Sequence, residues 1–348
     1  MNISDDCGKR GAINLKSNIR IISSASVGGK KEKTGPLGKY IDVYAEDEKM
    51  GQDSWEKAES EMCKVALETA LTKLEFSEKC LDAILAGDLM NQCTGAGYGL
   101  LEFDVPYIGL YGACSTFAEG IMIGSMIIES GCMDCVAVVA SSHFCTAERQ
   151  FRYPLEYGSF AETTSQNTVT GAGCVILRKE KAKTDGGVYV TSVMPGIVCD
   201  RGIKDASNMG AAMCSAAKDT ILRYFETSKD DPGDIDLIAT GDLGLEGKKM
   251  LFDISKADGL VCGRNFDDCG TMIYDLENQD VGCGGSGCGC SAIVGSGYIY
   301  EKMKTGELSS SIIIGTGAMM SPQSLLQGAS IPAVAHLVKL ERYTEGRQ

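Results

Sequence analysis

Histidine is nearly absent from this 348-residue chain, which has only His143 and His336. A catalytic centre built on two imidazoles would use both, and a zinc site of the usual His/Cys kind has few imidazoles to draw on. Positive charge is also short: 33 Lys and Arg stand against 47 Asp and Glu, a formal net charge of -14. Nucleic-acid binders concentrate Lys and Arg, so DNA and RNA are excluded as leading partners. No apolar run approaches the roughly 18–20 residues of a membrane span, and Met1 to Arg20 has no apolar signal-peptide core. The chain is expected to be made in the cytoplasm, with any membrane attachment running through another protein. Proline is scarce, 7 residues against 43 Gly, which points to tight turns and close packing rather than a disordered linker.

What is plentiful is cysteine. Sixteen thiols without a secretion signal point to a reducing compartment. Cys132-x-x-Cys135 with Cys283, Cys288 and Cys290 lacks a His at ligand spacing and a second CxxC, so structural cysteines are expected rather than a metal site. The fractions, 44% hydrophobic and 23% charged, are those of a globular protein, and the length suits two compact units. The division is expected near residue 183, with halves 1–183 and 184–348.

The stretch from Tyr111 to Glu119 organises the chain. Gly112-Ala113-Cys114-Ser115-Thr116 lies between a short strand signal, Val105 to Leu110, and an apolar helix signal, Phe117 to Ile128. A thiol at such a turn faces the unpaired N–H groups of the helix start, which favour a thiolate or an anionic ligand. The competing reading is a small buried hydrophobe. The helix is apolar almost all round, so it is expected to be buried on every side. Gly120 and Gly124, four apart, would let another backbone approach, at about 1 kcal/mol each in helix propensity.

Before that stretch, Asn18 to Ser24 alternates as a strand and Gly28 to Tyr40 reads as an exposed loop. Asp53 with Glu56 has a capping-box pattern ahead of a helix. Leu81 to Ala86 reads as a strand and Asn91 to Leu101 as a glycine-interrupted helix. After it, strands are expected over Val136–Ala140, Cys174–Leu177, Val188–Met194, Asp236–Thr240 and Ile331–Leu340, with a helix over Asn208–Phe225.

Two echoes indicate a duplicated α/β unit. Asp82-Ala83-Ile84-Leu85-Ala86-Gly87-Asp88-Leu89 shares five of eight positions with Asp236-Leu237-Ile238-Ala239-Thr240-Gly241-Asp242-Leu243. Cys290-Ser291 opens a small-residue helix through Gly295, Ser296 and Gly297, as Cys114-Ser115 does through Gly120 and Gly124, and each helix ends near a glycine, Gly131 or Gly306. Two such helices would meet between two sheets.

These features, with Gly171-Ala172-Gly173 before a strand and the late Gly315-Thr316-Gly317-Ala318, resemble the thiolase and ketoacyl-synthase superfamily. Within it the chain resembles the stage V sporulation protein AD family. The residues carrying that likeness are Gly51-Gln52-Asp53-Ser54, Leu85 to Leu89, Gly112 to Thr116, Ala140-Ser141-Ser142-His143, Gln150-Phe151-Arg152-Tyr153-Pro154, Ser207-Asn208-Met209-Gly210, Thr240 to Gly244 and Ser330-Ile331-Pro332. The resemblance implies a thiolase-like duplicated α/β fold, five-layered α-β-α-β-α and usually dimeric. It also implies binding of dipicolinic acid (pyridine-2,6-dicarboxylate) and its movement into the forespore, with association to the spore inner membrane through channel proteins of the same operon. No cofactor is implied.

A condensing enzyme of that superfamily needs His and Asn, or two His, beside the Cys. Where initiating ketoacyl synthases carry Pro-His-Gln, this chain has Thr240-Gly241-Asp242, and Gly282 to Ser291 holds neither His nor Asn. The expected site is therefore a binding site with Cys114 at the nucleophile position and no catalytic residue. Dipicolinate is a flat dianion, so its pocket should offer N–H donors, hydroxyls and a cation. Cys114, Ser115, Thr116, Ser142, His143 and Arg152 are the candidate contacts, with Asn91 beside them. Asp88 or Asp242 would face the metal if the ligand arrives as a calcium chelate. His336 is expected to be structural. The rival readings are an acyl-transferring enzyme using Cys114 with His143 as base, and a structural adaptor of a spore membrane channel.

Overall fold

The computed structural model describes residues 10–151 and 162–346. Among them, ten strands form the body of one mixed sheet. The first five are β1 (Ile13–Gly28), β2 (Ala83–Gly87), β3 (Tyr107–Gly109), β4 (Cys135–Ser142) and β5 (Gly171–Glu180). The second five are β6 (Val188–Met194), β7 (Leu237–Thr240), β8 (Phe266–Asp268), β9 (Ser310–Ala318) and β10 (Ala333–Arg342). In space they run β3-β2-β4-β5-β1, then β6-β10-β9-β7-β8.

The two halves repeat one another strand for strand. β2 pairs in parallel with β3 and β4, whereas β5 is antiparallel to β4 and β1. Likewise β7 is parallel to β8 and β9, whereas β10 is antiparallel to β9 and β6. β1 and β6 join the halves as an antiparallel seam whose register breaks between Asn14 and Ile19. The echoed aspartates explain part of the repeat. Asp82 Oδ2 accepts the Asp134 and Cys135 N–H groups at 2.8 and 2.9 Å, tying β2 to the start of β4. Asp236 Oδ2 accepts the Ser309 and Ser310 N–H groups at 2.6 and 3.0 Å, tying β7 to the start of β9.

Four helices and one composite helix supply the layers: α1 (Trp55–Thr72), α2 (Thr116–Ser130), α3 (Met209–Thr227) and α4 (Gly244–Ala257). The composite α5 starts as Cys288–Ile293, passes through the π-helical Val294–Ile299 and ends as Tyr300–Thr305. Helix α2 packs on β4, β2 and β1 of the first half and on β10 and β9 of the second, so it lies between them. Strand alternation sorts the core into separate clusters. Val136 and Val138 of β4 face the central cluster with Phe117, Ile121 and Ile313, whereas Ala137 and Val139 face Met62 and Leu67 of α1. On the other side, Ile312 and Ile314 of β9 pack with Met213 and Ile221 of α3. The layers are thus α1, sheet half, α2 with α5, sheet half, α3 with α4, which is the five-layered thiolase-like arrangement.

Glycine lets the central helices cross between halves. A Cβ on Gly173 of β5 would stand 2.3 Å from the Ala292 carbonyl oxygen of α5. A Cβ on Gly317 of β9 would stand 2.3 Å from the Gly112 oxygen, in the turn entering α2. Both helices end on a left-handed glycine, Gly131 at φ 78° and Gly306 at φ 83°, as the echo predicts.

Four local expectations differ from the structure. The Gly28–Tyr40 segment is pinned inward, because Glu32 is buried and accepts the Thr170 N–H at 3.0 Å and the Tyr274 hydroxyl. Helix α1 is capped by Ser54, whose Oγ accepts the Lys57 N–H, and Asp53 instead pairs with Lys57 Nζ. What lies against Gly120 and Gly124 is side chain, Val138 and Val136 of β4, not another helix backbone. The Asn91–Leu101 helix is broken, with 3-10 turns around a short Thr94–Gly99 helix and left-handed Gln92 and Cys93 at φ 62° and 51°.

Candidate functional site

Cys114 sits in the 3-10 turn Ala113–Ser115 that leads β3 into α2, and Ala113 before it is left-handed at φ 51°. The turn buries the thiol between the two halves. Its neighbour is the Asp242 carboxylate, delivered by the chain leaving β7. Asp242 is held hard. Its Oδ2 accepts the Gly287 N–H at 2.9 Å and the Ser286 hydroxyl at 3.1 Å, and its Oδ1 accepts the Thr316 hydroxyl at 2.7 Å. Thr316 Oγ1 in turn accepts the Asp242 N–H at 3.0 Å.

The electrostatics run against a thiolate. Burial, then the charge of Asp242, pushes the Cys114 thiol well above its ordinary value. Burial likewise raises the Asp242 carboxyl to about 7, opposed by the Thr316 and Gly287 hydrogen bonds. The donors at the start of α5 therefore serve a carboxylate of this chain. Two further thiols face the same region and are also raised by burial: Cys288 bonds the Ala113 carbonyl at 3.0 Å and Cys290 the Gly241 carbonyl at 3.4 Å. Every described cysteine is a free thiol.

The other predicted residues fall in three groups. Ser115, Thr116 and Ser142 are close to the turn or to the start of α5, with their hydroxyls turned onto backbone carbonyls. Ser115 donates to Gly112 at 2.6 Å, Thr116 to Ala113 at 2.6 Å and Ser142 to Val169 at 2.7 Å, while Ser142 Oγ also accepts the Gly289 N–H at 2.9 Å. His143 is fully buried, and both ring nitrogens are engaged: Nδ1 accepts the Cys145 N–H at 3.1 Å and Nε2 meets the Glu48 carbonyl at 2.7 Å. Burial lowers its pKa, so the imidazole is neutral.

Asp88 is the helix cap of its own segment, taking the Met90 and Ala96 N–H groups at 2.7 Å each. Asn91 is exposed and exchanges hydrogen bonds with Gln150. The structure therefore brings Asp242 to Cys114 but keeps Asp88 and Asn91 in a separate cluster. Arg152 and the adjoining Tyr153-Pro154 lie outside the described residues. His336 accepts the Gly196 N–H at 3.1 Å and is lowered by burial to about 4.

Several buried groups escaped sequence reasoning. Glu59 of α1 accepts the Ser141 hydroxyl at 3.1 Å and the Thr146 hydroxyl at 2.6 Å, and burial together with Asp88 raises it to about 8. Asp268 takes the Leu243 and Gly244 N–H groups at 2.8 and 3.0 Å and is raised by burial to about 6. The one sequence signal for Glu59 is its place on the apolar face of α1, between Ala58 and Met62. Glu119, in the first turn of α2, buries Oε2 against Gly112 and Ser115, and burial raises its carboxyl above the ordinary value, opposed by the Gly112 backbone.

A buried thiol at the entry of a central helix, between two repeated sheet halves, defines a protein of the thiolase-like fold. Solved structures agree in architecture. The 3-oxoacyl-[acyl-carrier-protein] synthase III of Aquifex aeolicus matches with a TM-score of 0.57 at 13% identity, covering 93% of this chain and 100% of that one. A variant of OleA from Xanthomonas campestris matches with a TM-score of 0.60 at 12% identity, covering 94% and 100%. At such identities the likeness is one of fold. Sequence is more specific: the family model for stage V sporulation protein AD matches residues 8–341, and the Stage V sporulation protein AD of Bacillus subtilis is 40% identical over 324 residues, 93% of this chain and 94% of that protein. The chain belongs to the stage V sporulation protein AD family.

Proposed function

We propose that this chain is a non-catalytic thiolase-fold protein that binds dipicolinic acid, or its calcium chelate, and supports its uptake into the forespore. The observation that carries the non-catalytic part is Asp242 against Cys114. A nucleophilic thiolate needs a cation or a positive helix end beside it to hold its charge. Here its polar neighbour is a buried carboxylate, which holds the proton on sulfur, and the nearest histidine in sequence, His143, has both nitrogens committed to the backbone.

The ligand part follows the family expectation, and Glu119 bears on its form. Burial raises the Glu119 carboxyl, a cost that a hard cation at Oε2 would offset and a free dianion would increase, which favours the calcium chelate. The seat lies at the Gly112–Ser115 turn. Membrane association through channel proteins accords with the absence, among the described residues, of any helix long and apolar enough to cross a membrane. A homodimer would form along the outermost strand β3, where Tyr107 and Tyr111 are exposed.

Calorimetry with purified protein and dipicolinate, with and without calcium, tests the reading. Binding that strengthens with calcium and weakens in Glu119→Gln is expected, and no binding under either condition would sink it. A stable acyl adduct on Cys114 after incubation with acyl-coenzyme A would instead favour an acyl-transferring enzyme.

A further inference from the structure

Strand β6 begins at Val188, opposite Ile21, so the edge of β1 beyond that point has no neighbouring strand until Ser26 bonds Asp42 and Val27 meets a short parallel strand at Val43. Over this open edge lies a cleft of about 670 Å³, walled by the Lys39–Asp42 turn and the last turn of α5. It is net positive in a chain of net charge -14. Its lining holds five cations, Arg20, Lys39, Lys73, Lys302 and Lys304, against three carboxylates.

Three of the cations are matched. Lys73 pairs with Asp42 at 2.6 Å, Lys304 with Glu301 at 3.5 Å, and Lys302 with Glu307. Arg20 and Lys39 form no ion pair within 4.0 Å among the described residues, though Glu307, the partner of Lys302, also feels the charge of Lys39. The Arg20 Nε–H is buried with no hydrogen-bond partner, as is that of Arg342, which lies beside the lining residue Gly186. A desolvated guanidinium edge without an acceptor is costly, and a guanidinium fork matches carboxylate or phosphate oxygens. Lys39 is exposed at the mouth and stands over the Tyr40 ring at 5.0 Å.

We propose that this cleft binds a small anion carrying two or more negative charges on carboxylate or phosphate groups, at a site separate from the Cys114 centre. Arg20 supplies the fork on the floor and Lys39 the charge at the mouth. The volume accommodates a ligand well beyond a single phosphate. Dipicolinate itself falls in this ligand class, so the test uses other ligands, and Glu119→Gln against Arg20→Gln tells the two sites apart.

Inorganic pyrophosphate and succinate are titrated separately into the full chain by calorimetry, at low and at high salt. At least one is expected to bind, more weakly at high salt, with affinity falling tenfold or more in Arg20→Gln and in Lys39→Gln. The probe that binds assigns phosphate or carboxylate chemistry, and binding of both assigns their shared multiply anionic chemistry. No binding of either probe, or binding unchanged in both variants, overturns the proposal. If Arg20→Gln unfolds the chain, Lys39→Gln on its exposed turn decides alone.

Discussion

The Asp242 carboxylate lies beside the Cys114 thiol and is itself anchored by Gly287, Ser286 and Thr316. An anion on these donors cancels the positive end of the backbone that would otherwise favour a thiolate. The repeated Gly-Asp-Leu therefore has two fates: Asp88 caps its own segment, whereas Asp242 reaches across to the turn of the other half.

Removing that charge should free the thiol. Asp242→Asn is expected to raise the rate of Cys114 alkylation by iodoacetamide at pH 8 several-fold, followed by mass spectrometry of the Cys114 peptide. Equal rates in the two proteins would mean that burial alone controls the sulfur.

Asp242 also predicts a pH dependence. Its folded value is raised to about 7, chiefly by burial, while the unfolded carboxyl is ordinary. Its contribution to stability is then complete below the ordinary carboxylate range and is lost as pH rises to about 7, at most on the order of 4 kcal/mol. Asp268, raised to about 6, and Glu59, raised to about 8, add in the same direction. Thermal melts should show the wild type more stable near pH 5.5 than at pH 8. Asp242→Asn should flatten the part between about pH 4 and 7. A wild-type midpoint that climbs with pH across this range contradicts the assignment.

Glu59 distinguishes a neutral acid from a buried charge. Because it is raised to about 8, it is largely protonated at pH 7, and Glu59→Gln should change stability by less than about 1 kcal/mol. Glu59→Ala leaves the Ser141 and Thr146 hydroxyls without their acceptor and opens a cavity, and is expected to cost about 2–4 kcal/mol. Denaturant melts of the two variants at pH 7 measure the difference.

Gly120 and Gly124 oppose two effects. Alanine gains about 1 kcal/mol of helix propensity at either position. At Gly120 the new Cβ would stand 2.4 Å from Val138 Cγ1, a branch with no room to move in the central core, and at Gly124 the nearest atom is Val136 Cγ2 at 3.0 Å. Gly120→Ala is therefore expected to destabilise by about 1–3 kcal/mol, and Gly124→Ala by clearly less. Denaturation midpoints reversing that order would show that β4 yields at Val138.

Much of this molecule is written locally. The strands around Asp82 and Asp236, the all-apolar run of α2, and the Gly-Ala-Gly and Gly-Thr-Gly segments carry the duplication and the five layers, because strand and helix periods and close-approach glycines leave marks within a few residues. The position of Cys114 is legible for the same reason. What the linear order could not assign is the company each polar group keeps. Asp88 and Asp242 share a motif, yet one turns to N–H groups two and eight residues ahead, and the other to donors 44, 45 and 74 residues away. Hydroxyls and imidazole that look like ligand contacts in sequence, Ser115, Thr116, Ser142 and His143, are satisfied by nearby backbone, because a buried polar group must find a partner before any ligand arrives. Only tertiary packing decided that an aspartate fills the place beside the thiol, since desolvation and long-range hydrogen bonds exist only once the two halves close on the central helices.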